Sequence, residues 1–465
     1  MDGQGNVLIV PASSESGQQP SVGQRFERVG AAYRPPVWEP TGRFVFVPAG
    51  STIWRVDASR GTVDMVATID RRTVVDLVST REERLWSPDG GRCLVAVVRD
   101  EATMQMGFYA VDLASGKSKV LLEGGWRLAN PSVGTAWNVD VSADGQRIAF
   151  VCEAAQQPPD VWLATADFRR VRQVTHLNPQ LERYTFARSR IIDWLGPDGQ
   201  QLRGAVLLPP GYQEGKRYPL IVHLYGGVRL SRYGNVFGGL PGPGPYNLQL
   251  LATRGYAVLY PDAPLRVGTP MADLAQTVLP GVNKAIELGL ADPERLGVMG
   301  QSFGGYSVLA LVTQTPRFKA AVVEAGYGNV LSSYGYLGKD GSDHFFLGWN
   351  ETEGGKMGDS PWAVRERYLE NSPTLYLDRV RTPVLLIHGT ADDGVRVFQA
   401  EEVFVGLRRL GRRVVLARYE GEGHRLGKRA NIHDAWARIF RWFETYLRMP
   451  PPSLRGGDGG DVLRE

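Results

Sequence analysis

The sequence lacks the features that define several large classes of protein. Its 465 residues include only two cysteines and six histidines, and no group of these residues has the spacing of a zinc site. Cys93 and Cys152 each lie in an apolar, strand-like run, so we expect both to be buried free thiols. The sequence therefore predicts neither a disulfide framework nor a metal site.

A strong excess of one charge and long apolar runs are also missing. The 53 basic and 49 acidic residues leave a formal charge of +4, which is too balanced to indicate nucleic acid as the main partner. No run approaches the roughly 18 apolar residues of a membrane span. The start, MDGQGNVLIVPASS, lacks the basic stretch of a signal peptide. We therefore expect a cytoplasmic protein that has no membrane partner.

The first 180 residues contain three similar segments. Each has a polar turn, an apolar strand, a loop and a second strand with an aromatic residue. The turns are anchored by Pro40, Pro88 and Ala143, about 50 residues apart, a period typical of propeller blades. We therefore predict an all-β, partial propeller-like domain of about three blades over residues 1–180. A plain antiparallel β-domain is the alternative.

Three blades are fewer than the four to eight of most propellers. The domain is then either an open array or what remains of a longer propeller in an N-terminally incomplete chain. Since an open array leaves unpaired strand edges, it favours association with a second copy of the chain.

The pattern changes after residue 180. Continuous apolar runs at 219–225, 256–261, 295–299, 319–325 and 383–388 suit parallel strands that are buried on both faces. Helical patterns separate them, which predicts a doubly wound, mostly parallel α/β sheet over residues 181–449. The tail, 450–465, is rich in proline and glycine and is expected to be disordered.

Ser302 lies in the pentapeptide GQSFG, between the strand RLGVM and the helical run YSVLALVTQT. A strand, a sharp turn and a helix form the setting of a nucleophile elbow, which lifts a serine hydroxyl above the carboxyl ends of the strands. The alternative is a serine that only caps the helix. The context favours a catalytic nucleophile.

A serine needs a base, and the base needs an orienting carboxylate. In α/β-hydrolases they follow in the order Ser, Asp, His. Asp392 and Asp393 come just after the run 383–388, and His424 lies in a glycine-rich loop after the next strand. We predict Asp392 as the acid, with Asp393 as the alternative, and His424 as the base.

The oxyanion hole needs two donors. The N–H of Phe303, the residue after the nucleophile, is expected to supply one. Tyr225, at the end of the run 219–225, is a candidate for the other through its phenol, unless it only packs beside the two glycines that follow it.

These segments resemble the prolyl oligopeptidase family of serine peptidases, in which a β-propeller precedes an α/β-hydrolase domain. The motifs are YPLIVHLYGG, GQSFGGY, HGTADDGV and GEGH. The resemblance implies that Ser302, Asp392 and His424 form the triad and that Tyr225 joins Phe303 in the oxyanion hole. It also implies that Val395 and aromatic residues before the seventh strand line the pocket, where Tyr327, Tyr334 and Trp349 are candidates.

The sequence therefore predicts a serine peptidase that cleaves short peptides through an acyl-enzyme intermediate and needs no cofactor. One alternative is an esterase or acyl hydrolase with the same triad, since both reactions pass through a tetrahedral intermediate. A second alternative is a propeller-based binding module on an inactive hydrolase.

Overall fold

The computed structural model of the protein describes residues 36–82, 84–128, 139–239, 246–337, 346–352 and 354–447. It divides into two compact units. Unit 1 contains the described residues up to Ile191 together with Ser231–Asn247, and unit 2 contains Ile192–Leu230 and the described residues from Leu248 onward. The tail predicted at 450–465 lies outside the described residues, and the predicted domain limits stay a prediction.

Unit 1 is built from three antiparallel sheets. The first contains β1 (Val37–Trp38), β2 (Phe44–Ala49), β3 (Thr52–Asp57) and β4 (Thr62–Thr68). The second contains β5 (Arg72–Leu77), β6 (Cys93–Asp100), β7 (Met106–Asp112) and β8 (Ser118–Gly124). The third contains β9 (Arg127–Leu128), β10 (Val139–Val141), β11 (Arg147–Ala154), β12 (Gln157–Thr165) and β13 (Val171–Gln173). The predicted domain of about three blades is confirmed.

The second sheet lies between the other two, and this explains the uniformly apolar sequence of β6. Side chains alternate along a strand, so Leu94 and Ala96 join the cluster shared with the first sheet, where Ile53 is fully buried. Val95 and Val97 point the other way and join the cluster shared with the third sheet. Both faces of β6 are therefore core.

Unit 2 is organised around one eight-stranded sheet. Its strands are β14 (Arg188–Leu195), β15 (Gln201–Leu208), β16 (Tyr218–His223), β17 (Ala257–Pro261), β18 (Ala291–Gln301), β19 (Ala320–Glu324), β20 (Val384–Gly389) and β21 (Val414–Tyr419). Their order is β14-β15-β17-β16-β18-β19-β20-β21. The pairs from β17 to β21 are parallel, whereas β15 and β17 are antiparallel. The mostly parallel α/β-hydrolase sheet is confirmed.

Helices connect and cover these strands. They are α1 (Gln249–Ala252), α2 (Pro270–Glu287), α3 (Phe303–Val312), α4 (Val330–Tyr334), α5 (Phe346–Glu351), α6 (Arg365–Glu370), α7 (Phe398–Arg409) and α8 (Arg429–Leu447). All ten residues of α3 are buried, because it follows the central strand β18. Among the described helices, none combines the length and the apolarity that a membrane span requires.

The segment 231–247 belongs to unit 1 through specific contacts. The Phe237 N–H donates to the Glu153 carboxylate (3.0 Å), and the Asn235 amide donates to the Met104 carbonyl (2.8 Å). The Phe237 ring meets that of Phe186 edge to face. Buried polar and aromatic contacts thus hold this segment on the all-β unit, although it lies between two strands of the α/β sheet in the chain.

Candidate active site

Ser302 lies in a strained turn between β18 and α3. Its backbone has φ 62° and ψ −124°, a left-handed conformation that costs a non-glycine residue free energy and is typical of functional sites. The Ser302 N–H donates to the Glu324 carbonyl at the end of β19 (2.8 Å). Two neighbouring strands therefore fix the turn that raises the hydroxyl, as a nucleophile elbow requires.

Gly304 explains why the motif needs a glycine at this point. A Cβ atom on Gly304 would lie 2.3 Å from the Leu224 carbonyl oxygen and 3.3 Å from the ring of Tyr225. No side chain fits at that separation from a backbone atom. The missing side chain therefore allows helix α3 to start against the end of β16.

The structure brings Ser302, His424 and Asp392 together. His424 Nε2 lies 2.9 Å from Ser302 Oγ, and His424 Nδ1 lies 2.9 Å from Asp392 Oδ2. The three residues follow β18, β21 and β20, so the parallel sheet carries them at the same edge. This chain of hydrogen bonds can transfer the serine proton to the imidazole while the carboxylate stabilises the positive ring.

Asp392 is buried and receives several hydrogen bonds. Its Oδ1 accepts from the Val395 N–H (2.8 Å), and its Oδ2 is also 3.2 Å from His388 Nε2. Burial alone would raise the pKa of Asp392, but the hydrogen bonds from His388 and His424 outweigh it and lower this pKa to about 2. Asp392 is therefore negatively charged at neutral pH. Asp393, the alternative acid, is exposed and pairs with Arg396.

The loop that carries His424 folds around the buried carboxylate of Glu422. This carboxylate accepts from the N–H groups of Gly427 (2.7 Å) and Lys428 (3.1 Å) and from the Asn431 amide (2.6 Å). Burial opposes its ionisation, but these hydrogen bonds lower the pKa of Glu422 below its ordinary value. From the other side, the Gln301 side chain donates to the His424 carbonyl (3.1 Å).

Tyr225 and Phe303 lie beside Ser302. Burial raises the pKa of Tyr225, while a hydrogen bond with the Ser302 side chain acts in the opposite direction, so the phenol is protonated at neutral pH and adjoins the serine. Phe303 is the first residue of α3, where N–H groups have no partner within the helix. Both groups have the chemistry of oxyanion donors.

The four residues predicted to line the substrate pocket have different neighbours. Val395 is buried in the turn that holds Asp392, and its carbonyl lies 2.8 Å from His388 Nε2. Tyr327 and Trp349 pack on the ring of Phe303, with centroids 6.3 and 5.8 Å away.

Tyr334, the fourth pocket candidate, has other neighbours. Its hydroxyl donates to the Glu351 carboxylate, and its ring meets those of Trp362 and Tyr368. Val395 thus contacts Asp392, and Tyr327 and Trp349 contact Phe303. That the four candidates line the substrate pocket stays a prediction.

The sequence places His388 in a buried strand, as a core residue or as one that supports the site, and does not single out Glu422 or Gln301. Two signals were available. Glu422 lies between two glycines, two residues before His424, and His388 precedes Asp392 by four residues. The hydrogen bonds of Glu422 form where its own loop folds back on itself, and the contact of His388 with Asp392 depends on the turn after β20. A pattern along one strand reports neither. Within the described part of the chain, no cluster of histidine, cysteine or acidic residues could hold a metal ion.

The order of the strands and the linked Ser302, His424 and Asp392 define the α/β-hydrolase class. Residues 273–450 match the model of the prolyl oligopeptidase family. This part of the chain is therefore similar to that family.

Two of the curated relatives are named as peptidases. The chain is 30% identical over 294 residues to the uncharacterized peptidase YuxL of Bacillus subtilis, covering 59% of the chain and 42% of YuxL. It is 25% identical over 431 residues to dipeptidyl-peptidase 5 of Porphyromonas gingivalis, covering 78% of the chain and 59% of that relative. The chain thus spans about half the length of these relatives.

The solved structures give the same fold. The acylaminoacyl peptidase of Pyrococcus horikoshii superposes with a TM-score of 0.63 at 22% sequence identity, over 90% of this chain and 63% of that one. At this identity, the likeness concerns the fold.

Proposed function

We propose that the protein is a serine peptidase that hydrolyses peptide bonds of short peptides through an acyl-enzyme intermediate. The observation that carries the proposal is the hydrogen-bonded chain from Ser302 through His424 to Asp392, with both links at 2.9 Å. The peptidases among the relatives support the choice of a peptide substrate.

During acylation, the proton moves from Ser302 to His424 and then to the leaving amine. Ser302 Oγ attacks the carbonyl carbon of the scissile bond while His424 Nε2 takes its proton. Asp392, which is ionised at neutral pH, accepts the hydrogen bond from His424 Nδ1 and stabilises the imidazolium. When the tetrahedral intermediate collapses, His424 gives the proton to the leaving amine and the acyl group stays on Ser302.

The oxyanion is stabilised by Tyr225 and the backbone of Phe303. The Tyr225 phenol and the Phe303 N–H donate to the oxygen that becomes negative, and such donors contribute about 2.7–4 kcal/mol each to the transition state. A water molecule then loses a proton to His424 and attacks the acyl carbon. As the acid is released, His424 returns the proton to Ser302 Oγ, which restores the free enzyme.

The test compares two substrate classes on the same protein. Purified wild type and Ser302→Ala are assayed on peptide p-nitroanilides of two to five residues and on p-nitrophenyl esters. We expect the wild type to cleave both classes and Ser302→Ala to cleave neither. Ester cleavage without cleavage of any anilide would favour the esterase alternative, and equal rates for the two proteins would contradict the role of Ser302.

A further inference from the structure

His388 lies near the end of β20, four residues before Asp392, with a side chain that is fully buried. Its Nε2 atom is 2.8 Å from the Val395 carbonyl oxygen and 3.2 Å from Asp392 Oδ2. One imidazole nitrogen therefore contacts both the acid of the proposed triad and the turn that follows it.

The two contacts assign the tautomer of this imidazole. A carbonyl oxygen and a carboxylate oxygen both accept, so Nε2 must carry the hydrogen. His388 Nδ1 has no hydrogen-bond partner within the part of the chain that the structure describes. A hydrogen on Nδ1 would be a buried donor without an acceptor, which is costly. The ring is thus held as an Nε2–H donor.

This donor completes the fixation of the Asp392 carboxylate. Oδ1 accepts from the Val395 N–H and Oδ2 accepts from His424, while His388 Nε2 lies 3.2 Å from Oδ2. The same Nε2–H donates to the Val395 carbonyl (2.8 Å) and so closes the turn over Asp392. Without His388, the turn would lose this hydrogen bond and Oδ2 would lose its second nearby donor, so the carboxylate would be held less firmly toward His424.

We propose that His388 is a positioning residue for the peptidase reaction, with an Nε2–H that holds Asp392 in the orientation that receives His424 Nδ1–H. The inference rests on the proposed function, because it assumes the triad. His388 does not touch the reacting atoms and acts only through Asp392. The alternative is that His388 only packs in the sheet and has no effect on the orientation of Asp392.

Two substitutions separate positioning from packing. In His388→Gln the amide nitrogen reaches about the place of Nε2 and remains a donor, whereas His388→Met has a similar length and no donor. We expect His388→Met to lower kcat on a p-nitrophenyl ester about 10- to 100-fold, as for displaced catalytic groups, with KM changed less than about twofold. His388→Gln is expected to recover most of kcat.

A matched control measures how much the replacement of a buried histidine by methionine changes activity and stability in itself. His223 is also a buried strand histidine whose Nδ1 has no partner among the described residues, but it lies on β16. His223→Met therefore reports the effect of a methionine at a buried imidazole site of the same sheet. Thermal unfolding of all variants shows whether each one is folded at the assay temperature.

The second readout is the rate at which a fluorophosphonate reacts with Ser302, which needs no peptide substrate. We expect the rate to fall in His388→Met and to recover in His388→Gln. A loss in His388→Met no larger than in His223→Met, or equal losses in the Met and Gln variants of His388, would overturn the inference. Wild type that reacts with the fluorophosphonate but cleaves no peptide overturns only the peptidase proposal, and the ester and labelling assays still decide the role of His388.

Discussion

At the scale of single residues, the activation of Ser302 depends on which nitrogen of His424 carries the hydrogen. Asp392 Oδ2 lies 2.9 Å from this nitrogen and accepts only from a ring that carries its hydrogen on Nδ1. Nε2 is then free to take the proton of Ser302. The carboxylate thus selects the tautomer in addition to stabilising the charge.

Asp392→Asn is expected to lower kcat about 10⁴-fold with little change in KM, because an amide at this place allows the wrong imidazole tautomer. Steady-state kinetics on the preferred ester or anilide measure the effect. Asp393→Asn is the matched control, since Asp393 is exposed and pairs with Arg396. A similar loss in both variants would contradict the assignment of the acid.

The pKa of Asp392 predicts how its contribution to stability depends on pH. Since the pKa is lowered to about 2, Asp392 keeps its charge as pH falls from neutrality, and the stabilisation that it provides is lost only below its unfolded value of about 3.9. We expect the advantage of wild type over Asp392→Asn in the free energy of unfolding to be kept from neutral pH to about pH 5. An advantage that shrinks steadily between pH 7 and pH 5 in urea unfolding would argue against the lowered pKa.

Gly304→Ala is expected to disrupt the elbow. The added Cβ would meet the Leu224 carbonyl oxygen at 2.3 Å, so the start of α3 or the end of β16 must shift, at a cost of about 1–3 kcal/mol of stability or more. Gly335→Ala is the control, because nothing lies within 4 Å of a Cβ at Gly335. Urea unfolding and ester turnover measure the two effects. Wild-type values for both in Gly304→Ala would contradict the described close approach.

The sequence predicts single residues well where one residue carries the chemistry. Ser302, Asp392 and His424 could be selected because each follows a strand-like run and the order along the chain restricts the choices. Gln301 could not, because its hydrogen bond to the His424 carbonyl joins the end of β18 to the loop after β21. Glu422 could not, because its partners depend on how that loop folds back on itself. His388 was placed in a strand correctly, but its partner depends on the turn after that strand.

At the scale of elements, strand β6 has buried side chains on both faces. It therefore connects the core shared with the first sheet of unit 1 to the core shared with the third sheet. Phe108 on β7 is fully buried and contacts Phe150 and Phe168, with ring centroids 5.2 and 4.9 Å away. These rings join the second and third sheets, so the packing between sheets depends on a few aromatic side chains.

Phe108→Ala is expected to lower the free energy of unfolding by about 3–5 kcal/mol, because it leaves a cavity in this cluster. Val120→Ala on the neighbouring strand β8 is the control, since Val120 is 47% exposed and surface substitutions change stability by about 0.5 kcal/mol or less. Chemical denaturation of the purified chain measures both. Equal effects of the two substitutions would contradict the described core.

The elements themselves were largely predictable. Buried parallel strands such as β16 have continuous apolar sequences, so they stand out, and the repeat period identifies the three sheets of unit 1. Strand limits were less accurate: β18 runs from Ala291 to Gln301, although only 295–299 is a continuous apolar run. Its first four residues, ADPE, include two acidic residues and a proline and carry no strand signal.

At the scale of the whole molecule, the chain pairs a three-sheet unit with a complete eight-stranded hydrolase sheet. Segment 231–247 was not predictable as part of unit 1, because nothing in its composition distinguishes it from a loop of the hydrolase sheet. Association with a second copy through the open end of unit 1 and a cytoplasmic location stay predictions. Mass photometry at several concentrations tests the first of them.

The central claim is that Ser302 is a nucleophile activated by His424. The most direct measurement is the reaction of the purified chain with a fluorophosphonate, followed by mass spectrometry of the peptide that contains GQSFGGY. We expect one adduct, on Ser302, that is absent in Ser302→Ala and formed much more slowly in His424→Ala. A folded wild type that forms no adduct, or an adduct on another serine, would contradict this claim.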